Sequence, residues 1–168
     1  APSSARAPAA DQPAEADQMA KTSTPSKVEL SAAELEGLRE AGLEPRAGVL
    51  GLYLLRDEYA RVPIVPAEAI VLEGELKAKA EAMRDELVSQ LREKGTEGLP
   101  LVQGEHESVD GKPDIMGVWL PGANLGGTQL QGAILYKAQL QKANLHAAQL
   151  QEANLYAAQL QKQGPAPP

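Results

Sequence analysis

The chain has 168 residues and a formal net charge of −7, with one Trp, four Tyr, no Phe and no Cys. One or two small units fit that length; the acidic balance argues against a general nucleic-acid binder. The missing cysteine excludes disulfides, thiolate metal sites and thiol catalysis. The longest apolar run, Val49 to Leu55, falls far short of the ~18 residues a membrane-spanning helix needs, so any membrane association is expected to be peripheral.

Residues 1–27 are rich in Ala, Pro, Ser and Thr and carry one large apolar side chain, Met19. Such a segment buries too little surface to offset its ordering entropy, and it reads as a low-complexity tail. The Ala at position 1 points to removal of a leader or an initiator Met. A second, Pro-rich tail is expected at 163–168.

Residues 28–100 read as a helical region. Ser31 and Glu34 form a capping box and Gly42 supplies a left-handed stop, which predicts a helix over 32–41. From Ala47 to Tyr59 the run is apolar all round, read as a buried helix with a buried strand as the alternative. From Pro66 to Lys94, Leu72, Leu76, Ala80, Met83, Leu87 and Leu91 recur at helical spacing, and Gly95 follows as a stop. That pattern predicts one long amphipathic helix. Its apolar stripe would pack on its neighbours, on a partner's helix, or on the end of the repeat described next.

Residues 101–117 read as an acidic loop or linker. It holds His106 with Glu105, Glu107, Asp110 and Asp114, a set that could attract a cation, although no spacing matches a known calcium or zinc motif. A solvated loop is the plainer reading, with no metal and no cofactor expected. His146 is expected on the surface. Among the classes of catalytic motif, no Ser/His/Asp set, phosphate loop or dinucleotide fingerprint stands out.

From Val118 the pattern becomes a strict period of five. Leu occupies 120, 125, 130, 135, 140, 145, 150, 155 and 160, and the residue two before is Ala in seven of the nine cases. A five-residue step turns an α-helical side chain by a net 140° or so, which would scatter these leucines over every face. A fixed short repeat calls for a solenoid. The units VWLPG, ANLGG, TQLQG, AILYK, AQLQK, ANLHA, AQLQE, ANLYA and AQLQK resemble the pentapeptide-repeat family. That resemblance implies a right-handed quadrilateral β-helix over 118–162, four units per coil. Leu120, Leu125, Leu130, Leu135, Leu140, Leu145, Leu150, Leu155 and Leu160 would form its core. Gln at 129, 139, 149 and 159 replaces the family's usual Asp or Asn, so less regular turns are expected there.

The expected class is therefore α+β: an N-terminal helical region followed by a short β-helix. Nine units make about 2.25 coils, too few to stand without caps. Residues 28–117 would cap one end, and the other would be blunted by the tail or sealed by a partner. Some pentapeptide-repeat proteins imitate DNA, but 118–162 carries three Lys against one Glu, the wrong charge for mimicry. The expectation is a non-enzymatic subunit that docks onto protein subunits of a larger complex. The family analogy points to an accessory subunit of an organellar photosynthetic complex in the thylakoid lumen. The alternative is a small-ligand or cation-binding regulator using the His106 loop. The expected docking face carries Tyr136 and Tyr156, one coil apart, with Ile134 beside them.

Overall fold

The computed structural model describes residues 25–56, 63, 70–104 and 107–160. Nearly all of the 1–27 segment, and all of the 163–168 segment, lie outside these residues. The described chain is mixed α/β: helix α1 (Ala32–Ala41), strands β1 (Leu43–Arg46) and β2 (Val49–Leu54), helix α2 (Gly74–Lys94), then the repeat.

Helix α1 begins and ends as its sequence predicts. The Ser31 hydroxyl accepts from the Glu34 N–H at 3.1 Å, and the Glu34 carboxylate accepts from the Ser31 N–H at 2.9 Å. Gly42 then turns left-handed at φ 106 and donates to the Leu38 and Arg39 carbonyls. The Glu34 carboxylate also holds Lys79 of α2 at 2.8 Å, tying the two helices together.

The segment read first as a buried helix is a strand. β1 and β2 form an antiparallel hairpin with Leu43 opposite Leu54 and Glu44 opposite Tyr53. The reason lies in which side chains go where. Leu52 and Leu54 pack with Leu38, Met83 and Trp119, whereas Val49 and Tyr53 pack with Leu87, Leu91 and the repeat leucines. A strand covered on both faces needs apolar residues at consecutive positions, and that removes the alternation that would have betrayed it. Gly51 allows α2 to come close: a Cβ there would lie 2.8 Å from Leu87 Cδ2.

Helix α2 is shorter than its apolar pattern predicts. It starts at Gly74, after Glu73 in extended conformation (φ −139), and stops at Gly95, whose N–H reaches the Leu91 carbonyl at 2.8 Å. The residues just before it, Ile70 to Glu73, are not helical. The expected start at Pro66 lies outside the described residues. Leu72 still packs against the cluster around Met83, so it served the stripe without being part of the helix.

From Asp114 the chain returns over itself every 20 residues. Parallel bridges join Asp114 to Ile134 to Asn154, Trp119 to Gln139 to Gln159, Asn124 to Asn144, and Gln129 to Gln149. The paired positions are therefore four pentapeptides apart, a stretch here called one coil. Each corner is closed by a main-chain hydrogen bond from the residue three after the central one, such as Ala143 N–H to Leu140 C=O at 3.0 Å. The third turn residue has positive φ at every corner, from Gly117 (φ 71) to Ala157 (φ 61). A positive φ at that place marks a type II turn. The turns after Gln129, Gln139 and Gln149 are as regular as the others: Gly132 sits at φ 72 and Lys142 and Glu152 at φ 63, against φ 62 at Ala147 after Asn144; the turn after Gln159 lies outside the described residues. Asn side chains do add a bond (Asn144 Oδ1 accepts from the His146 N–H at 2.9 Å), but the main-chain bond alone holds the corner.

The coil also begins one unit earlier than the leucine period. Pro113 to Gly117 forms a tenth unit, with fully buried Ile115 in the central place and Asp114 on the first bridge. Of the segment expected to be a loop over 101–117, the described residues 101–104 and 107–112 form a hairpin-like excursion, pinned by Leu101 opposite Pro113, and 113–117 belong to the coil.

Candidate interaction surface

The two ends of the coil differ. At the N-terminal end each side meets something. Tyr53 of β2 bridges Val118 antiparallel, with the Trp119 N–H donating to the Leu52 carbonyl at 2.8 Å, and Leu101 bridges Pro113. Arg92 of α2 donates to the Asn124 and Gly126 carbonyls, and Arg84 donates to the Pro121 carbonyl. Below them Leu87, Val88 and Leu91 enter the same core as Leu120, Leu125 and Leu130. Among the described residues, β2, α2 and Leu101 therefore cover this end, with the C-terminal half of the α2 stripe, Leu87 and Leu91, packed on the repeat leucines.

Burial falls steadily along the central positions. Leu120, Leu125, Leu130, Leu135 and Leu140 are buried; Leu145, Leu150 and Leu155 are half-buried; Leu160 is 42 % exposed. Thr128, in an Ala place, is buried too, its hydroxyl donating to the Leu125 carbonyl at 2.8 Å. In the lower coil Leu125, Leu130 and Leu135 donate their N–H groups upward to Asn144, Gln149 and Asn154. Among the described residues the equivalent N–H groups of Leu145, Leu150 and Leu155 have no main-chain partner, and neither do the carbonyls of Ala143, Ala148 and Ala153. Among the described residues the C-terminal end is an apolar surface whose edges carry no main-chain partner.

Of the three residues expected on the docking face, two are together and one is withdrawn. Tyr136 and Tyr156 stack with ring centroids 5.7 Å apart and planes 8° from parallel. Tyr156 is 71 % exposed at the top of the stack. Tyr136 is half-buried; the Lys137 ammonium lies 5.7 Å from its ring centre and donates to the Pro63 carbonyl. Ile134 is only 2 % exposed, packed with Val102 and Met116. Val102 and Met116 fold over it, a long-range covering that the outward position in the repeat could not announce.

The acidic loop divides differently from expectation. Glu105 and His106 lie outside the described residues. Asp114 serves the fold: its carboxylate accepts from the Met116 N–H at 3.1 Å and from Arg56 at 3.2 Å. Among the described residues no group of three His, Cys, Asp or Glu is placed to hold a metal ion. The other unusual electrostatics are internal. Burial pushes the Tyr53 hydroxyl, which donates to the Leu50 carbonyl at 2.8 Å, well above its ordinary range. Burial, then the neighbouring charge of Arg56, lowers Arg46, whose guanidinium lies over the Tyr53 ring.

Positions 20 residues apart pair in parallel, and a small residue and a leucine recur in every unit of five. Residues 117–146 match Pentapeptide repeats (8 copies). This segment is built of pentapeptide repeats. Repeats of this family imply a β-helix-like fold and belong in general to structural and interaction proteins. The match ends at residue 146, although the 20-residue bridges continue to Gln159. No curated protein and no solved structure matches the chain. Among the described residues no helix is long and apolar enough to cross a membrane.

Proposed function

We propose that this chain is a non-enzymatic interaction subunit. Its pentapeptide repeats would form a short right-handed quadrilateral β-helix over 113–162, held at one end by a cap of residues 28–112. The rod presents the Tyr136–Tyr156 face to protein subunits of a larger complex. One observation carries the reading: an exposed tyrosine stacked on a second one, on a rod whose core is sealed at one end by its own chain. Tyrosine combines large contact area with a hydroxyl that tolerates water, which suits a surface covered only part of the time. By analogy with the family, the proposed setting is a photosynthetic assembly of the thylakoid lumen.

Affinity capture from the native source, followed by mass spectrometry, tests the reading. Tyr136→Ala combined with Tyr156→Ala should abolish capture of the partner while thermal unfolding changes little. Unchanged capture with a lowered melting temperature would reduce the stack to a support for adjacent coils. The cation-binding alternative would show itself as saturable uptake of a divalent ion in calorimetry, lost in His106→Ala.

A further inference from the structure

We propose that Ser26 is a phosphorylation site, and that its modification unfastens a strap, residues 26–30, from helix α2. The inference goes beyond the docking role above and does not depend on it. The described chain opens with this non-helical segment, and its side chains alternate. Pro25, Lys27 and Glu29 are exposed, whereas Ser26, Val28 and Leu30 are half-buried. Val28 and Leu30 pack on the cluster that holds Leu38, Ala80 and Met83.

Two side chains of α2, about two turns apart on one face, hold the strap by hydrogen bonds. Glu86 takes its beginning. The two carboxylate oxygens accept from the Ser26 hydroxyl and from the Lys27 N–H, the latter at 2.8 Å. Lys79 takes its end, donating to the Glu29 carbonyl at 3.2 Å. Ser26 is the hub of the fastening, because its hydroxyl oxygen also accepts from the Val28 N–H at 3.0 Å. That closes a local turn of the kind serine favours. A hydroxyl that donates to a carboxylate makes a charge-assisted bond, stronger than a neutral one, and the bond depends on the single proton of Ser26 Oγ.

Esterification of Ser26 reverses this contact. With ATP as donor and a serine kinase as catalyst, Ser26 Oγ bonds to the γ-phosphorus and the bond to the β,γ-bridging oxygen breaks. ADP leaves, and the hydroxyl proton passes to the kinase's base. The phosphoserine has no proton to donate at Oγ and carries about −1.5 to −2 charge at neutral pH, against the Glu86 carboxylate. Lys79, the cation on the same face, is already held by Glu34 at 2.8 Å. The phosphate is therefore repelled, and the Lys27 N–H loses its acceptor as the strap leaves. Ser26 is half-buried between exposed neighbours, so the kinase takes the lifted strap and the phosphate prevents its return. The modification shifts a population between two states. In the lifted state the apolar cluster under Val28 and Leu30 is bared.

Hydrogen exchange of the full chain carrying phosphoserine at position 26 tests the latch. The Lys27 and Val28 amides should exchange at least about tenfold faster than in the unmodified protein, the factor that a lost hydrogen bond to a charged group is worth. The Gly95 amide, bonded to the Leu91 carbonyl in α2, should be unchanged, which separates release of the strap from unfolding. Ser26→Asp should act in the same direction. Glu86→Lys added to Ser26→Asp should slow the Val28 amide again, since opposite charges then face each other. Mass spectrometry of the protein isolated from its native source should find phosphate on Ser26. No phosphate there, phosphoserine that leaves both amides as slow as before, or a charge reversal that fails to slow Val28 would each overturn the proposal. Partner capture by the tyrosine double variant reads the docking role separately, so either can fail without the other.

Discussion

Gly95 and the Gln129 backbone meet so closely that a Cβ on the glycine would lie 2.9 Å from the Gln129 carbonyl oxygen. The contact sits where α2 ends on the fourth side of the first coil, and Gly95 is also the turning residue of that helix, at φ 63 and ψ −133. Two demands converge on one position: a backbone conformation that favours glycine, and room for a neighbouring main chain.

Gly95→Ala should therefore loosen the joint between cap and coil. Strained backbone and overpacking each cost about 1–3 kcal/mol, so a loss of roughly 2–4 kcal/mol is expected. Urea unfolding followed by circular dichroism measures it. A loss below about 0.5 kcal/mol, the range of surface changes, would mean that the contact yields without strain.

The gradient of burial along the central leucines predicts a gradient of cost. Leu125→Ala empties a fully buried place beside the cap, and about 3 kcal/mol is expected from comparable core truncations. Leu160, 42 % exposed, should cost under about 1 kcal/mol in dilute protein, since little apolar area leaves contact. Equal costs at the two positions would show that the open end is as well packed as the capped one.

Acid should weaken the joint between the helices. The Lys79 ammonium, then the Ser31 backbone N–H, hold the Glu34 carboxyl below its ordinary range. A carboxyl lowered in the folded state adds stability that is full above its unfolded value, near pH 4.5, and is lost as the pH falls through the folded value. Wild-type protein and Glu34→Gln should therefore differ most at about pH 6 and converge toward about pH 3. Denaturant midpoints across that range show it; a difference that does not shrink in acid would assign the effect of Glu34 to shape rather than charge.

What was legible in the sequence was whatever depended on near neighbours along the chain. Ser31, Glu34 and Gly42 delimit α1 because caps are local chemistry, and the five-residue leucine period announces the coil because every unit repeats the same local turn. Covering by distant segments was hidden. β2 looked helical because both of its faces are buried, one by α1, α2 and Trp119 and one by the end of α2 and the coil. Ile134 looked like a docking residue because nothing near it in sequence tells that Val102 and Met116 lie on it. The tenth unit was missed because Pro113 and Ile115 break the Ala–Leu signature, although Gly117 repeats the corner glycines at 122, 127 and 132 and could have marked it. Tyr136 and Tyr156 were found together because a spacing of 20 is the coil itself.

The corners offer the sharpest check on the coil, because here an ordinary rule reverses. Gly127 and Ala147 occupy the same corner in successive coils, at φ 72 and φ 62, joined by the Gly127 N–H donating to the His146 carbonyl at 2.9 Å. Left-handed backbone costs a residue with a Cβ about 1–2 kcal/mol, whereas replacing Ala by Gly loosens the unfolded chain by about 0.5–1 kcal/mol. Ala147→Gly should therefore stabilise the protein by roughly 0.5–1 kcal/mol. Gly127→Ala should destabilise it by a similar amount, and through conformation alone, since a Cβ at Gly127 meets nothing within 4 Å. Ala148→Gly, one residue along at an inward place without positive φ, is the control and should destabilise. Thermal melts of the three variants decide it: if Ala147→Gly and Ala148→Gly both lower the melting temperature, the corner at 147 is not left-handed, and the regular four-sided coil fails with it.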